Sequence, residues 1–134
     1  MFLFDTNVLS EIIKPKGVAV VVARVLDTPP EQRFASEWTR NEMRLGAGLR
    51  GDGSRLSRRI ASDMLPLATW LGVTAEVSLL AGDIAANLRR EGRPCGAVDP
   101  LIAATALVHR CTLVTGNVKH FEHIPKLRVA NWFP

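Results

Sequence analysis

Met1-Phe2-Leu3-Phe4-Asp5-Thr6-Asn7 is the stretch whose reading decides the fold. Phe2, Leu3 and Phe4 form a short apolar run with no polar alternation, as expected of a strand covered on both faces. The run stops on Asp5, so a carboxylate stands at a strand's carboxyl end. In open α/β sheets that edge is where strand ends and helix N-termini converge on a ligand crevice. An acid there needs partners, and three later stretches offer them.

Working outward, Val8, Leu9, Ile12 and Ile13 have helical spacing, and Lys14-Pro15-Lys16-Gly17 ends that helix with two breakers. Val18, Val21, Val22 and Val25 repeat with the same period and read as a second helix. Thr28-Pro29-Pro30 is a loop before a strand over 32–36. The spacing then predicts a helix over 39–50 with Met43, Gly46 and Ala47 inward, stopped by a Gly51-Asp52-Gly53 turn. Ser54 is expected to cap a further helix that buries Leu56, Ile60, Met64 and Leu67, with Arg55, Arg58 and Arg59 on its other face. A third strand is expected over 71–73. From Thr74, the residues Val77, Leu80, Ala81, Ile84 and Leu88 mark an amphipathic helix ending in Arg89, Arg90 and Gly92. Residues 99–108 are apolar or small on every side and read as a buried central helix with His109 at its end. A strand over 111–115, a helical turn over 117–121 and a last strand over 127–130 complete the chain. This alternation predicts one α/β domain over 1–134, its short, mostly parallel sheet flanked by helices on both faces.

A length of 134 residues with 47% apolar content suits a single core. Lys and Arg number 17 against 13 Asp and Glu, and this net +4 favours acidic partners, nucleic acid among them. Cys95 and Cys111 have neither zinc-site nor disulfide-framework spacing, so reduced thiols and a cytoplasmic location are expected. No apolar run reaches the length of a membrane span.

Four polar positions follow strands or open helices on what should be one sheet edge: Asp5, Glu42 in the first turn of its helix, Asp99 at the head of the central helix, and Asn117. Clustered carboxylates repel one another, and a cation is their usual compensation. Oxygen ligands without paired His or Cys point to Mg²⁺ or Mn²⁺. Each acid also has a local reading. Thr39-Arg40-Asn41-Glu42 has the form of a capping box, and Asp99 before Pro100 has that of an N-cap. Asp5 could accept from the turn amides ahead of its helix.

The stretches Phe4-Asp5-Thr6-Asn7-Val8-Leu9, Asn41-Glu42-Met43-Arg44-Leu45-Gly46, Asp99-Pro100-Leu101-Ile102-Ala103-Ala104-Thr105-Ala106 and Leu113-Val114-Thr115-Gly116-Asn117-Val118-Lys119-His120-Phe121 resemble, in order, the motifs of PIN-domain proteins. They are most similar to VapC-type toxins of toxin-antitoxin pairs. The resemblance implies a PIN-like fold and an endoribonuclease that uses Mg²⁺ or Mn²⁺ held by Asp5, Glu42 and Asp99. It also implies a small antitoxin partner and a homodimer. Val8, Ile12 and Val22 are candidates for the self-complementary surface, with core packing as their other reading. The family often carries a fourth Asp where this chain has Asn117, and another acid near position 97, here Ala97. These departures bear on whether a second metal is held.

Such chemistry needs no Ser or Cys nucleophile, because a metal can activate water and offset phosphate charge. Thr6, Asn7 and Thr115 then become groups that orient carboxylates. Arg44, Arg50, Arg55, Arg58 and Arg59 are candidates for RNA backbone contacts, or else a solvated basic face. His120 is a candidate substrate contact, while Trp38, Trp70, Trp132 and Phe133 read as packing or interface residues. Two rivals stand beside the nuclease. One is a Mg²⁺ phosphohydrolase with Asp5 as nucleophile, although Asn7 stands where that chemistry wants a second Asp. The other is a binding module whose acids have lost catalytic use.

Overall fold

Five short parallel strands lie side by side in the order β3-β2-β1-β4-β5 in the computed structural model, which describes residues 1–50, 53–93 and 95–134, with the backbone alone at 53 and 54. β1 (Phe2–Phe4) is central, paired on one side with β2 (Arg33–Ser36) and on the other with β4 (Thr112–Val114). β3 (Thr69–Leu71) and β5 (Val129–Ala130) form the edges. The chain builds outward from β1 through β2 to β3, then returns to the opposite side of β1. That reversal creates a topological switch point between β1 and β4, where the carboxyl ends of the two strands open a crevice.

Side chains alternate across the sheet, which is why an unbroken apolar strand needs cover on both sides. Leu3 and Leu113 face the helices α5 (Ala75–Arg90) and α6 (Val98–Val108), in a core with Val77, Ile84, Ile102 and Phe121. Phe4 and Val114 face the other way, toward Val8, Val21, Val25 and Met64. That layer is built from α1 (Thr6–Ile13), α2 (Ala19–Asp27), α3 (Glu37–Leu49) and α4 (Gly53–Arg59). The Trp132 ring packs edge-on to Phe2 and Phe4, at 5.3 and 5.5 Å between centroids, beneath the Arg24 guanidinium. Trp70 donates to the Leu65 carbonyl at 2.9 Å and carries Arg40 over its ring, so both tryptophans serve packing as expected.

Several boundaries differ from the sequence reading for identifiable reasons. α3 starts at Glu37 because the Ser36 hydroxyl caps it, accepting from the Trp38 amide at 3.1 Å. Thr39 is therefore a fully buried helix residue, no capping box forms there, and Glu42 lies in the second turn instead of the first. Gly46 is exposed, leaving Met43 and Ala47 as the inward residues of that set. The third strand lies two residues earlier than expected, since register with β2 pairs Ala35 with Trp70 and leaves Gly72 and Val73 exposed. The helix holding Ile60 and Met64 is not continuous. It widens into a π-helical turn over Ile60–Met64 and tightens over Leu65–Leu67, where Pro66 lacks the amide a helix interior requires. α6 begins at Val98, so Asp99 lies inside the first turn and caps nothing. The strands expected over 32–36, 111–115 and 127–130 are present but shorter. Residues 51 and 52 of the expected turn and the Ser54 side chain fall outside what is described, while α4 begins at Gly53.

Val8 is fully buried in the core, which removes it from any surface role, while Ile12 and Val22 are half-buried. The exposed large apolar residues of α2 are Val20 and Leu26. Among the described residues no helix is long and apolar enough to cross a membrane.

Glu11 is a buried carboxylate that ties the end of α1 to the start of α2. It takes the Lys14 ammonium at 2.5 Å and the Val18 amide at 2.9 Å. The Lys14 contact, with help from the Val18 amide, outweighs burial and holds its carboxyl below the usual range. A depressed pKa contributes stability that is present above the unfolded-state value and lost as pH falls through the folded one. Glu11→Gln should therefore destabilise the chain by on the order of 1 kcal/mol at pH 7, discounting for the exposed Lys14 head. The gap between variant and parent in denaturant titrations should close below the carboxylate range.

Candidate metal-dependent nuclease site

The β1 and β4 ladder continues one step past the strands and builds the site's floor. The Asp5 amide donates to the Val114 carbonyl at 3.0 Å, which sets Asp5 beside Thr115. The buried Thr115 hydroxyl then donates to Asp5 Oδ2 at 2.8 Å. Asn7 Nδ2 reaches the same carboxylate oxygen at 3.0 Å, and the Thr6 amide binds Oδ1 at 2.8 Å. Asn7 Oδ1 accepts from the Gly116 backbone amide at 2.8 Å, locking α1 to the turn after β4. A Cβ at position 116 would lie 3.1 Å from the Phe133 ring, so glycine suits that close approach. Asp5 is thus a positioned carboxylate held by three donors, and Thr6, Asn7 and Thr115 stand where they can orient it.

Asp5, Thr6, Asn7, Glu42, Asp99 and Asn117 line one cleft of about 320 Å³. Ile102 and His120 complete its wall. The three acids come from α1's start, the second turn of α3 and the first turn of α6. Burial raises the Glu42 carboxyl above its ordinary value, the charges of Asp5 and Asp99 raise it further, and a polar contact from the Thr6 side chain opposes them. Burial likewise raises Asp99; the adjacent His120 pulls it down and the charge of Asp5 pushes it up. His120 Nδ1 lies 3.1 Å from Asp99 Oδ2. Among the described residues the acids line the cleft without closing into a compact three-ligand cluster. Asn117 is exposed at the rim, its amide donating to the Thr115 hydroxyl at 3.0 Å.

The basic candidates separate. Arg50, Arg55 and Arg59 line a neighbouring cleft that shares Glu42 with the acidic one. Arg44 faces away from it, donating to Ser57 at 3.3 Å beside Glu37 and Arg40. Arg58 is exposed and lines none of these clefts. Thr39 was missed by sequence reasoning: its hydroxyl accepts from that of Thr6 at 3.3 Å beneath the acids. The available signal was its place three residues before Glu42, on the same helix face.

The family model for the PIN domain matches residues 2–127. Ribonuclease VapC19 of Mycobacterium tuberculosis is 34% identical over 128 residues, which cover 96% of this chain and 98% of that protein. The crystal structure of FitAcB from Neisseria gonorrhoeae superposes with a TM-score of 0.87 at 32% identity, covering 98% of this chain and 97% of that one. A toxin-antitoxin complex from Klebsiella pneumoniae gives 0.69 at 28% identity, covering 97% and 96%.

The raised acids yield a signed expectation. A carboxyl with a raised folded-state pKa stabilises the fold at low pH, and that contribution is lost as pH rises through the folded value. Ionised Glu42 is then a net strain on the metal-free protein. Glu42→Gln should melt a few degrees above the parent at pH 7 in chelator, with the advantage gone once the solution is acid enough to protonate both carboxyls. Equal melting temperatures at pH 7 would show that burial and the neighbouring acids together do not raise Glu42.

Proposed function

Because the chain belongs to the PIN-domain family, we propose that it is a metal-dependent endoribonuclease and the toxin of a toxin-antitoxin pair. The observation that carries this is the meeting of Asp5, Glu42 and Asp99 in one cleft at the β1/β4 switch point. The ribonuclease name of the Mycobacterium relative and the toxin-antitoxin complex from Klebsiella support it. A small antitoxin protein as partner, a homodimer and a cytoplasmic location belong to the same reading.

Asp5, Glu42 and Asp99 would hold Mg²⁺ or Mn²⁺, with Asn117 at the rim as a weaker neutral donor. The fit rests on their chemistry: oxygen-only donors, of which Glu42 and Asp99 are raised by burial first and by the charge of Asp5 as well. When bound, the ion supplies Lewis acidity toward the phosphate oxygens. The chain's own part is to hold carboxylates still. Thr115, Asn7 and the Thr6 amide fix Asp5, and His120 fixes the outer oxygen of Asp99. Arg55 and Arg59, across the shared Glu42 wall, suit contacts with the RNA backbone.

Asp5→Asn keeps the side chain's shape and removes its charge. Cleavage of an RNA mixture in Mg²⁺ or Mn²⁺ should fall to background while the circular dichroism melt stays cooperative. Full cleavage by that variant, or by the parent in chelator, would overturn the metal reading.

A complementary change acts at the rim. Asn117→Asp adds a fourth negative charge, so the metal-free protein should melt lower and Mn²⁺ should raise its melting temperature by more than it raises the parent's. Identical melts and identical Mn²⁺ shifts would place Asn117 outside the metal's reach.

A further inference from the structure

A second cleft of about 330 Å³ opens on the far side of Asp99, and it shares Asp99 and His120 with the acidic one. Arg93, Lys119 and His123 line it, and they arrive from opposite directions. Arg93 is placed by the end of α5. Gly92 takes a φ of +70°, its amide donates to the Arg89 carbonyl at 3.1 Å, and the Arg93 amide donates to the Leu88 carbonyl at 2.8 Å. That paired motif closes the helix and leaves Arg93 as the next residue outward. Lys119 sits on the tight turn Val118–His120 that follows β4 and Asn117. Two unrelated ends of the fold thus deliver cations to one cleft beside Asp99.

Three other cations near the site, Lys14, Arg59 and Arg40, face carboxylates of their own. Lys14 faces Glu11 and Arg59 faces Asp63 at 3.4 Å, in a cleft floored by Ile13, Met43 and Leu56. Arg40 holds Glu37 at 2.6 Å. Among the described residues Arg93 and Lys119 have no such partner, and His123 faces only Glu122 at 3.4 Å. Two exposed unpaired cations beside an acidic cleft are placed for a polyanion that spans both.

We infer that the cleft of Arg93, Lys119 and His123 holds a phosphate of single-stranded RNA adjacent to the one at the acids, with the strand crossing over Asp99 and His120. This rests on the ribonuclease reading above. A strand with one phosphodiester at the acids must carry its neighbouring phosphate over a shared wall, and on this side that wall leads to unpaired positive charge. Phosphate contacts of this kind add affinity and register without reading sequence.

Arg93→Gln with Lys119→Gln in the full-length chain tests it, because both residues are exposed and neither supports the core. In steady-state cleavage of an unstructured oligoribonucleotide the double variant should raise KM several-fold and leave kcat unchanged. On the cleavage-silent Asp5→Asn background in Mg²⁺, its slope of log affinity against log salt should be shallower by about 1.4, about 0.7 for each lost contact. Arg58→Gln, the loss of one positive charge away from these clefts, should change neither quantity. The inference is overturned if the double variant matches its background in KM and salt slope, or if Arg58→Gln, measured alone, has the same effect. If the parent neither cleaves nor binds RNA, the ribonuclease reading falls and takes this inference with it. Cleavage by the parent with an unaffected double variant removes this inference alone.

Discussion

The hydrogen bond from the Thr115 hydroxyl to Asp5 Oδ2 joins two residues 110 positions apart, and the working edge of the molecule depends on it. It exists because β1 and β4 are parallel neighbours whose ladder runs one residue beyond each strand. A buried carboxylate without donors would be costly, and here the sheet itself supplies them. The same hydroxyl accepts from the Asn117 amide, so one side chain carries both the acid at the floor and the residue at the rim. Asn7 closes the arrangement by giving its amide to Asp5 and taking the Gly116 amide in return.

Around this anchor the other acids are held at a distance that leaves them in tension. Glu42 and Asp99 reach the cleft from helices on opposite faces of the sheet, and each is raised by burial and by the charge of Asp5. The fold therefore stores a local electrostatic cost at the place where a cation would relieve it. Glu11, a carboxylate of the same α1 helix, behaves in the opposite sense. With Lys14 and the Val18 amide as partners it is lowered, and it serves only to join two helices. Environment, not residue type, sets Glu11 apart from Glu42 and Asp99.

Charge on the surface follows a similar division. Lys14, Arg40 and Arg59 are paired with carboxylates along their own helices or the adjoining turns. Arg93 and Lys119 come from a helix end and a post-strand turn, and among the described residues neither forms an ion pair. The molecule thereby presents an acidic crevice with positive charge in the clefts beside it.

Much of this was legible in the sequence. An apolar run ending on Asp5, the Thr74 cap and Gly92 stop of α5, and the all-apolar α6 rest on local rules of periodicity and capping. Such rules involve neighbours within a few residues, so the chain carries them openly. Motif order also marked Asp5, Glu42, Asp99 and Asn117 as belonging together. Only the tertiary structure decided what depends on distant partners. The return of β4 to the side of β1 sets Thr115 on Asp5, and pairing with β2 moves β3 to Thr69–Leu71. Burial on the α1/α2 face withdraws Val8 from the surface and sinks Thr39 beneath the acids. Arg93 and Lys119 meet in one cleft beside Asp99 only once the helix end and the post-strand turn have folded against each other, and no local pattern encodes that meeting.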